Sequence, residues 1–179
     1  MLQDNDLQFD LYDDVSNPLD GLEEIMLRND WTYDRQNEDE LTVHVSGAMG
    51  HYRMAFIWQE DFTAMQFCCA PDVTISPNKM DEAAKMLNRI NSNLWLGHFD
   101  VRAQDGVEQT AGAFVPCFRH TTLFRGAVES SGVEHMEDLI DIALSECERY
   151  YLTFELLSKQ GLQDNKTMTL AMMDPAGRS

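Results

Sequence analysis

SPNKMDEAAKMLNRINSNLWLGHFDV, residues 76–101, decides how the rest of the chain is organised. Met80, Ala84, Leu87, Ile90 and Leu94 recur at intervals of three and four, which predicts a helix with one apolar stripe. The run from Leu94 to Val101 then becomes extended with hardly a break. Ser76-Pro77 supplies an N-cap followed by a proline whose missing N–H costs nothing at the first helical position. Asn88, Asn91 and Asn93 weaken the far end, because asparagine competes with the backbone for hydrogen bonds. The helix should therefore stop close to Asn93, with a strand over Trp95 to Val101.

Working towards the N-terminus, the period changes to two between Trp31 and about Val73. A short extended piece at Trp31 to Arg35 meets the polar turn Asn37-Glu38-Asp39, and Leu41, Val43 and Val45 then alternate with Thr42 and His44. Gly47 to Gly50 turns the chain into Tyr52, Met54, Phe56 and Trp58. Glu60-Asp61 turns it again into Thr63, Met65, Phe67 and Cys69. Connections this short join antiparallel neighbours, so the segment reads as a meander. Before it, Asn17-Pro18 caps a first helix with Leu19, Leu22, Ile25 and Met26 on one face, ended by Asn29-Asp30. Residues 1–16 read as a flexible acidic arm.

Towards the C-terminus, Gln104 to Gly112 is a polar, glycine-bearing hairpin loop. Pro116 is expected only at an edge or a strand start, so the last strand is placed from Cys117 to Arg125. Ser131 and Glu134 form a capping box for a long final helix. Its stripe of Met136, Ile140, Ala143, Cys147, Tyr150, Phe154 and Leu157 suits a helix laid across a sheet and also suits a coiled-coil seam. Gly161 is the natural stop, and residues 161–179 form a tail with a possible short helix. The order α-β-β-β-β-α-β-β-α predicts an α+β domain over residues 17–160, an antiparallel sheet with helices packed on one face.

The chain has 179 residues and a net charge of −18, from 13 Lys plus Arg against 31 Asp plus Glu. Such a surface repels phosphate backbones and anionic headgroups, which argues against nucleic acid and membrane as partners and favours a basic or apolar protein partner. No apolar run approaches the roughly 20 residues that span a bilayer, and the acidic N-terminus is unlike a signal peptide, so a cytoplasmic location is expected.

Several local strings resemble one family. Asn17-Pro18-Leu19, Trp31, Leu87-Asn88-Arg89-Ile90-Asn91 leading to Leu94-Trp95-Leu96-Gly97-His98-Phe99, Phe118-Arg119-His120, Leu123 to Gly126 and Ala143 to Tyr151 are similar to the YbjN family of bacterial sensory transduction regulators. The resemblance implies a type III secretion chaperone-like fold, homodimers and the holding of client-protein segments. It supplies no catalytic residue. Glu108 to Val115 departs from it as an insertion.

No motif for chemistry stands against this reading. Cys68, Cys69, Cys117 and Cys147 lack the paired spacings of a zinc site; Cys68 and Cys69 point to opposite faces of a strand, and all four read as reduced, packed thiols. His98 and Asp100 share one side of a strand and read as outward polar residues, and His120 as a core histidine. Gly47 and Gly50 lack the setting of a phosphate loop. No cofactor, metal or catalytic residue is expected. The expected function is a non-enzymatic protein-binding module, a chaperone-like or regulatory adaptor in bacterial signalling or stress response, acting as a homodimer. Met80, Ala84, Leu87, Ile90 and Leu94 are candidate dimer contacts on the central helix, and Ala55, Ile57, Cys68, Leu94 and Leu96 are candidate partner contacts on the sheet face away from the helices by alternation. The alternative is a small-molecule sensor or enzyme with a pocket between sheet and helices near His98 or His120.

Overall fold

The computed structural model describes residues 17–103, 113–124 and 129–160, with the side chains of 129–133 and 160 left aside. The expected arm, the turn of the last hairpin and the tail fall outside these residues. The elements are α1 (Pro18–Arg28), β1 (Thr32–Asn37), β2 (Glu40–Ser46), β3 (His51–Gln59), β4 (Ala64–Pro71), α2 (Met80–Asn91), β5 (His98–Ala103), β6 (Phe114–Leu123) and α3 (Glu129–Gln160). This is the α+β order read from the sequence. The six strands form one antiparallel sheet in the order β1-β2-β3-β4-β6-β5.

One row of side chains crosses the whole sheet on the helix side. In register, Tyr33 faces Val43, then Met54, Cys69, Phe118 and Phe99. Because side chains alternate with a period of two, fixing this row fixes both faces. Leu41, Phe56, Phe67 and Tyr52 join it in the buried core, against Leu19, Leu22, Ile25 and Met26 of α1. The α3 stripe from Met136 to Leu157 is buried in full against the sheet, so its four-and-three spacing reflects a helix on a sheet. Phe99 sits at the centre, with ring centroids 5.6 Å from Phe118, 5.9 Å from Tyr150 and 5.2 Å from Phe154.

Local devices hold the helices in place. The Asn17 side chain accepts a hydrogen bond from the Leu19 N–H at 2.9 Å, and Asn17 Nδ2 donates to the Glu38 carbonyl at 2.7 Å. Arg35 reaches from β1 to Glu23 and Asp20 of α1. Lys79 Nζ donates to the Leu157 and Ser158 carbonyls at 2.9 and 2.8 Å, placing a cation at the negative end of α3.

Five local expectations are corrected. Ser76-Pro77 opens a 3₁₀ turn, Pro77–Lys79, without a Ser76 side-chain cap, and α2 begins at Met80. The buried stripe of α2 is Ala83, Met86 and Ile90, rotated from the expected one. The extended run is broken: Gly97 adopts φ +66° and β5 begins at His98. The final strand begins at Phe114, three residues earlier than expected, and includes Pro116. Finally, α3 begins at Glu129, which places Ser131 inside the helix rather than at its cap.

Candidate functional site

The sheet's second face carries no described helix. In register, Asp34, Thr42, Ala55, Cys68, Arg119 and His98 form a row across it, mirroring the core row. Near its middle the sheet forks. The ladder between β4 and β6 runs from Ala64–Leu123 to Cys69–Phe118 and stops there; the chains meet again only at an Ile75–Phe114 bridge, with N–H to O distances of 2.6 and 2.9 Å. Pro71 and Pro116 lie on the two sides of this gap. Neither has an N–H to offer, so the missing ladder leaves no donor stranded at those residues, and Pro116 is tolerated because only its β5 side is paired.

The fork opens into a cleft of about 580 Å³ lined by Cys68, Ala70, Pro71 and Asp72 on one side and Val115, Cys117 and Arg102 on the other, with His44, His51 and Arg53 at its margin. In a chain of net charge −18 this is a locally cationic site. Arg102 Nη1 lies 3.6 Å from Cys68 Sγ. Arg119 sits opposite Cys68 in register and pairs with Asp100 at 3.1 Å, so Asp100 serves Arg119 rather than His98. The neighbouring Cys117 thiol, helped by Arg102 and Arg119, brings Cys68 down to about 6 against the opposing effect of burial, although in the structure the Cys117 S–H points to the Phe118 carbonyl at 3.4 Å. The same neighbouring thiol and burial push Cys117 up. All four cysteines are free, and Cys69 and Cys147 lie on the helix side, where burial raises Cys147. The Cys68–Cys117 neighbourhood was missed in the sequence because β4 and β6 are far apart in the chain. Its only signal was Cys68 and Cys117 sitting on strands that a shuffled sheet order could bring together.

The predicted contact residues separate into groups. Ile90 is wholly inside the core, while Met80, Leu87, Leu94 and Leu96 are half-buried and packed on it, leaving Ala84 the exposed member of the α2 set. Ala55 and Ile57 are half-buried on the second face. His98 is exposed, and His120 is half-buried opposite Phe67 on the helix side, where burial and the nearby His135 and His98 hold it below its ordinary value. The cleft lies across the sheet from the pocket expected near these histidines.

A second feature stands at one end of the sheet. Trp95 is 103% exposed, Phe62 71% and Leu123 56%. All three stand towards the end of the sheet where β4 begins and β6 finishes: Leu123 pairs with Ala64 directly after the Phe62 turn, while residues 94–97 precede His98, whose partner Arg119 is four residues short of Leu123. Beside Trp95, the Asn91 side chain brackets the start of β5. Its Nδ2 donates to the Phe99 carbonyl at 3.0 Å and its Oδ1 accepts the Phe99 N–H at 2.8 Å, occupying the outer edge where another strand would pair.

A family described as "YbjN: Putative bacterial sensory transduction regulator" matches residues 18–156. The chain belongs to the YbjN family. The crystal structure described as "YbjN, a putative transcription regulator from E. coli" is similar over 73% of this chain and 90% of that one, at 16% identity and a TM-score of 0.44. No curated protein matches the chain. Among the described residues no group of three or more His, Cys, Asp or Glu side chains is placed to hold a metal ion, and no helix is long and apolar enough to cross a membrane.

Proposed function

We propose that this YbjN domain is a non-enzymatic regulatory module that binds a protein partner, as a chaperone-like adaptor in bacterial signalling or stress response, and that it works as a homodimer. The reading is carried by the exposed aromatic end of the sheet. Trp95, Phe62 and Leu123 have no part in the core, and large aromatic side chains are the usual anchors of protein interfaces. Ala55 and Ile57 extend an apolar strip onto the second face. The charge of −18 favours a partner whose apolar anchor is flanked by basic residues. Strand addition at β5 is confined to the stretch beyond Phe99, since Asn91 occupies the edge there, while β1 is the opposite edge of the sheet. Because Ile90 is sealed in the core, a dimer seam at α2 would rest on Ala84 with the partly exposed Met80 and Leu87.

The experiment has two arms. Light scattering after size exclusion at high micromolar concentration should give twice the 20.5 kDa chain mass, and a monomer refutes the dimer. A partner purified on the wild-type protein should be lost with Trp95→Asp while the melting temperature stays within about 1 °C, since exposed substitutions are nearly neutral for stability. Equal capture by both proteins refutes the docking site.

A second reading, a small-molecule sensor, is favoured by the fork cleft, whose 580 Å³ is of ligand size. It predicts a ligand that raises the melting temperature of the wild type and not of Arg102→Gln.

A further inference from the structure

The protein-binding reading leaves the two thiols of the fork unused. Cys68 and Cys117 share the second face, diagonal to one another across β4 and β6: Cys68 faces Arg119, and Cys117 is two residues before it. Both line the same open cleft, with the Arg102 guanidinium 3.6 Å from Cys68 Sγ. We propose that Cys68 is a modification site, a nucleophilic thiol that reacts with small electrophiles and low-molecular-weight disulfides entering the fork, with Cys117 as the resolving thiol.

Three observations point the same way. A thiol beside guanidinium groups and a second thiol ionises readily, and the thiolate is the reacting form; here Cys68 is brought down to about 6. The cleft gives a reagent access to a side chain that is otherwise almost fully enclosed. The third is mechanical. The β4–β6 ladder ends at Cys69–Phe118, so Cys117, the residue before Phe118, has no β4 partner; Pro116 before it has no N–H, and both keep their β5 partners Asp100 and Val101. There β6 is tied on its β5 side alone, where a sulfur would have to move to reach its neighbour at bonding distance.

The exchange balances. The Cys68 thiolate attacks one sulfur of a small disulfide RSSR; that S–S bond breaks, a Cys68–SR bond forms and RS⁻ leaves. Cys117 loses its proton to the released thiolate and attacks Cys68 Sγ; the Cys68–SR bond breaks, the Cys68–Cys117 disulfide forms and a second RS⁻ leaves, taking up the proton that Cys68 gave to solvent. Two protein thiols are oxidised and RSSR is reduced to two RSH. No charge remains on the thiol pair, so the disulfide loses the thiolate that faced Arg102 and Arg119, which alters the second face beside Ala55.

The full-length protein supplies its own controls, because Cys69 and Cys147 lie on the opposite face. Iodoacetamide labelling across pH 5–9, quantified peptide by peptide, should label Cys68 with a midpoint near 6 and at least tenfold faster at pH 7 than Cys147. Arg102→Gln should slow Cys68 and leave Cys147 unchanged. Glutathione disulfide should give a species lacking two hydrogens, with the Cys68 and Cys117 peptides joined, and Cys117→Ser should stop at the Cys68 glutathione adduct. Labelling of Cys68 no faster than Cys147, or a midpoint in the ordinary thiol range of about 8.5, overturns the site. A wild-type adduct that never resolves overturns the role of Cys117. Either failure leaves the aromatic docking end untouched.

Discussion

Gly97→Ala should cost the domain about 3 kcal/mol, and the structure shows why two separate penalties add there. Gly97 has φ +66°, a backbone conformation that costs a residue with a Cβ roughly 1–2 kcal/mol. A Cβ built on it lies 2.7 Å from the Arg119 carbonyl oxygen and 2.9 Å from Phe118 Cε2, well inside van der Waals contact. Neither neighbour can move freely. The Arg119 carbonyl belongs to β6, and the Phe118 ring is fully buried with its centroid 5.6 Å from that of Phe99. Overpacking of this kind costs about 1–3 kcal/mol, so the two together come to roughly 2–5 kcal/mol. For a domain of this size each kcal/mol lowers the melting temperature by about 2–4 °C, which makes the expected drop about 10 °C. Circular dichroism melts of the two proteins measure it. Gly97→Asn separates the terms, because asparagine tolerates the left-handed backbone but keeps the clash. A Gly97→Ala protein melting within 2 °C of wild type would show that the helix-to-strand turn is not under this constraint, and the account of why the extended run breaks at Gly97 would fail.

Three other outcomes follow from the same core. Asn91→Ala removes both bonds to the Phe99 backbone and should destabilise by about 1–3 kcal/mol, with faster amide exchange at Phe99 as the local signature; unchanged exchange would remove Asn91 from the edge of β5. Phe154→Ala opens a cavity beside Phe99, 5.2 Å away, and should cost about 3–5 kcal/mol in urea unfolding; a loss under 1 kcal/mol would mean that α3 does not close the core there. His120, held below its ordinary 6.5 by burial and then by His135 and His98, binds its proton more readily in the unfolded chain. Its contribution is therefore intact above about pH 6.5 and is lost as the pH falls towards the depressed value, so His120→Gln should flatten the acid-side decline in urea midpoint between pH 7.5 and 5.5. An identical decline in both proteins would contradict this.

What could be read from the sequence is what depends on near neighbours. The α3 stripe and the alternation of Tyr52, Met54, Phe56 and Trp58 are set by one periodicity each, and both are buried as read. The rotation of α2 was not legible, because Ala83-Ala84 and Met86-Leu87 offer two adjacent stripes of similar apolarity. Only docking onto the sheet selects Ala83, Met86 and Ile90. Trp95 looks like a core residue by composition, and nothing local reveals that the turn at Gly97 throws it outward. Pro116 was misplaced for a related reason. The rule that proline ends a strand concerns hydrogen bonding on the side its nitrogen faces, and that side is vacant only because β4 peels away after Cys69.

That departure links the fold to what the domain can do. A sheet with β4 and β6 paired along their whole length would present a closed second face, and Cys68 and Cys117 would be two small residues in an unbroken surface. Because the two strands diverge between Cys69–Phe118 and Ile75–Phe114, the sheet gains an opening without losing the helix-side core, where Val73 and Ile75 stay buried. The helix side is filled by α1, α2 and α3, so an incoming molecule has the fork, the second face, the edges and the Trp95 end to engage. On the second face Cys68 stands beside the fork, with Ala55 opposite it on β3 and Ile57 two residues further along, whereas Trp95 precedes β5 on the other side of β4 and β6. A change in charge at Cys68 therefore acts beside the strip that a protein partner would cover. On the two proposals made above, the route from a small-molecule event to a docking surface would run through side chains on the adjacent strands β3 and β4.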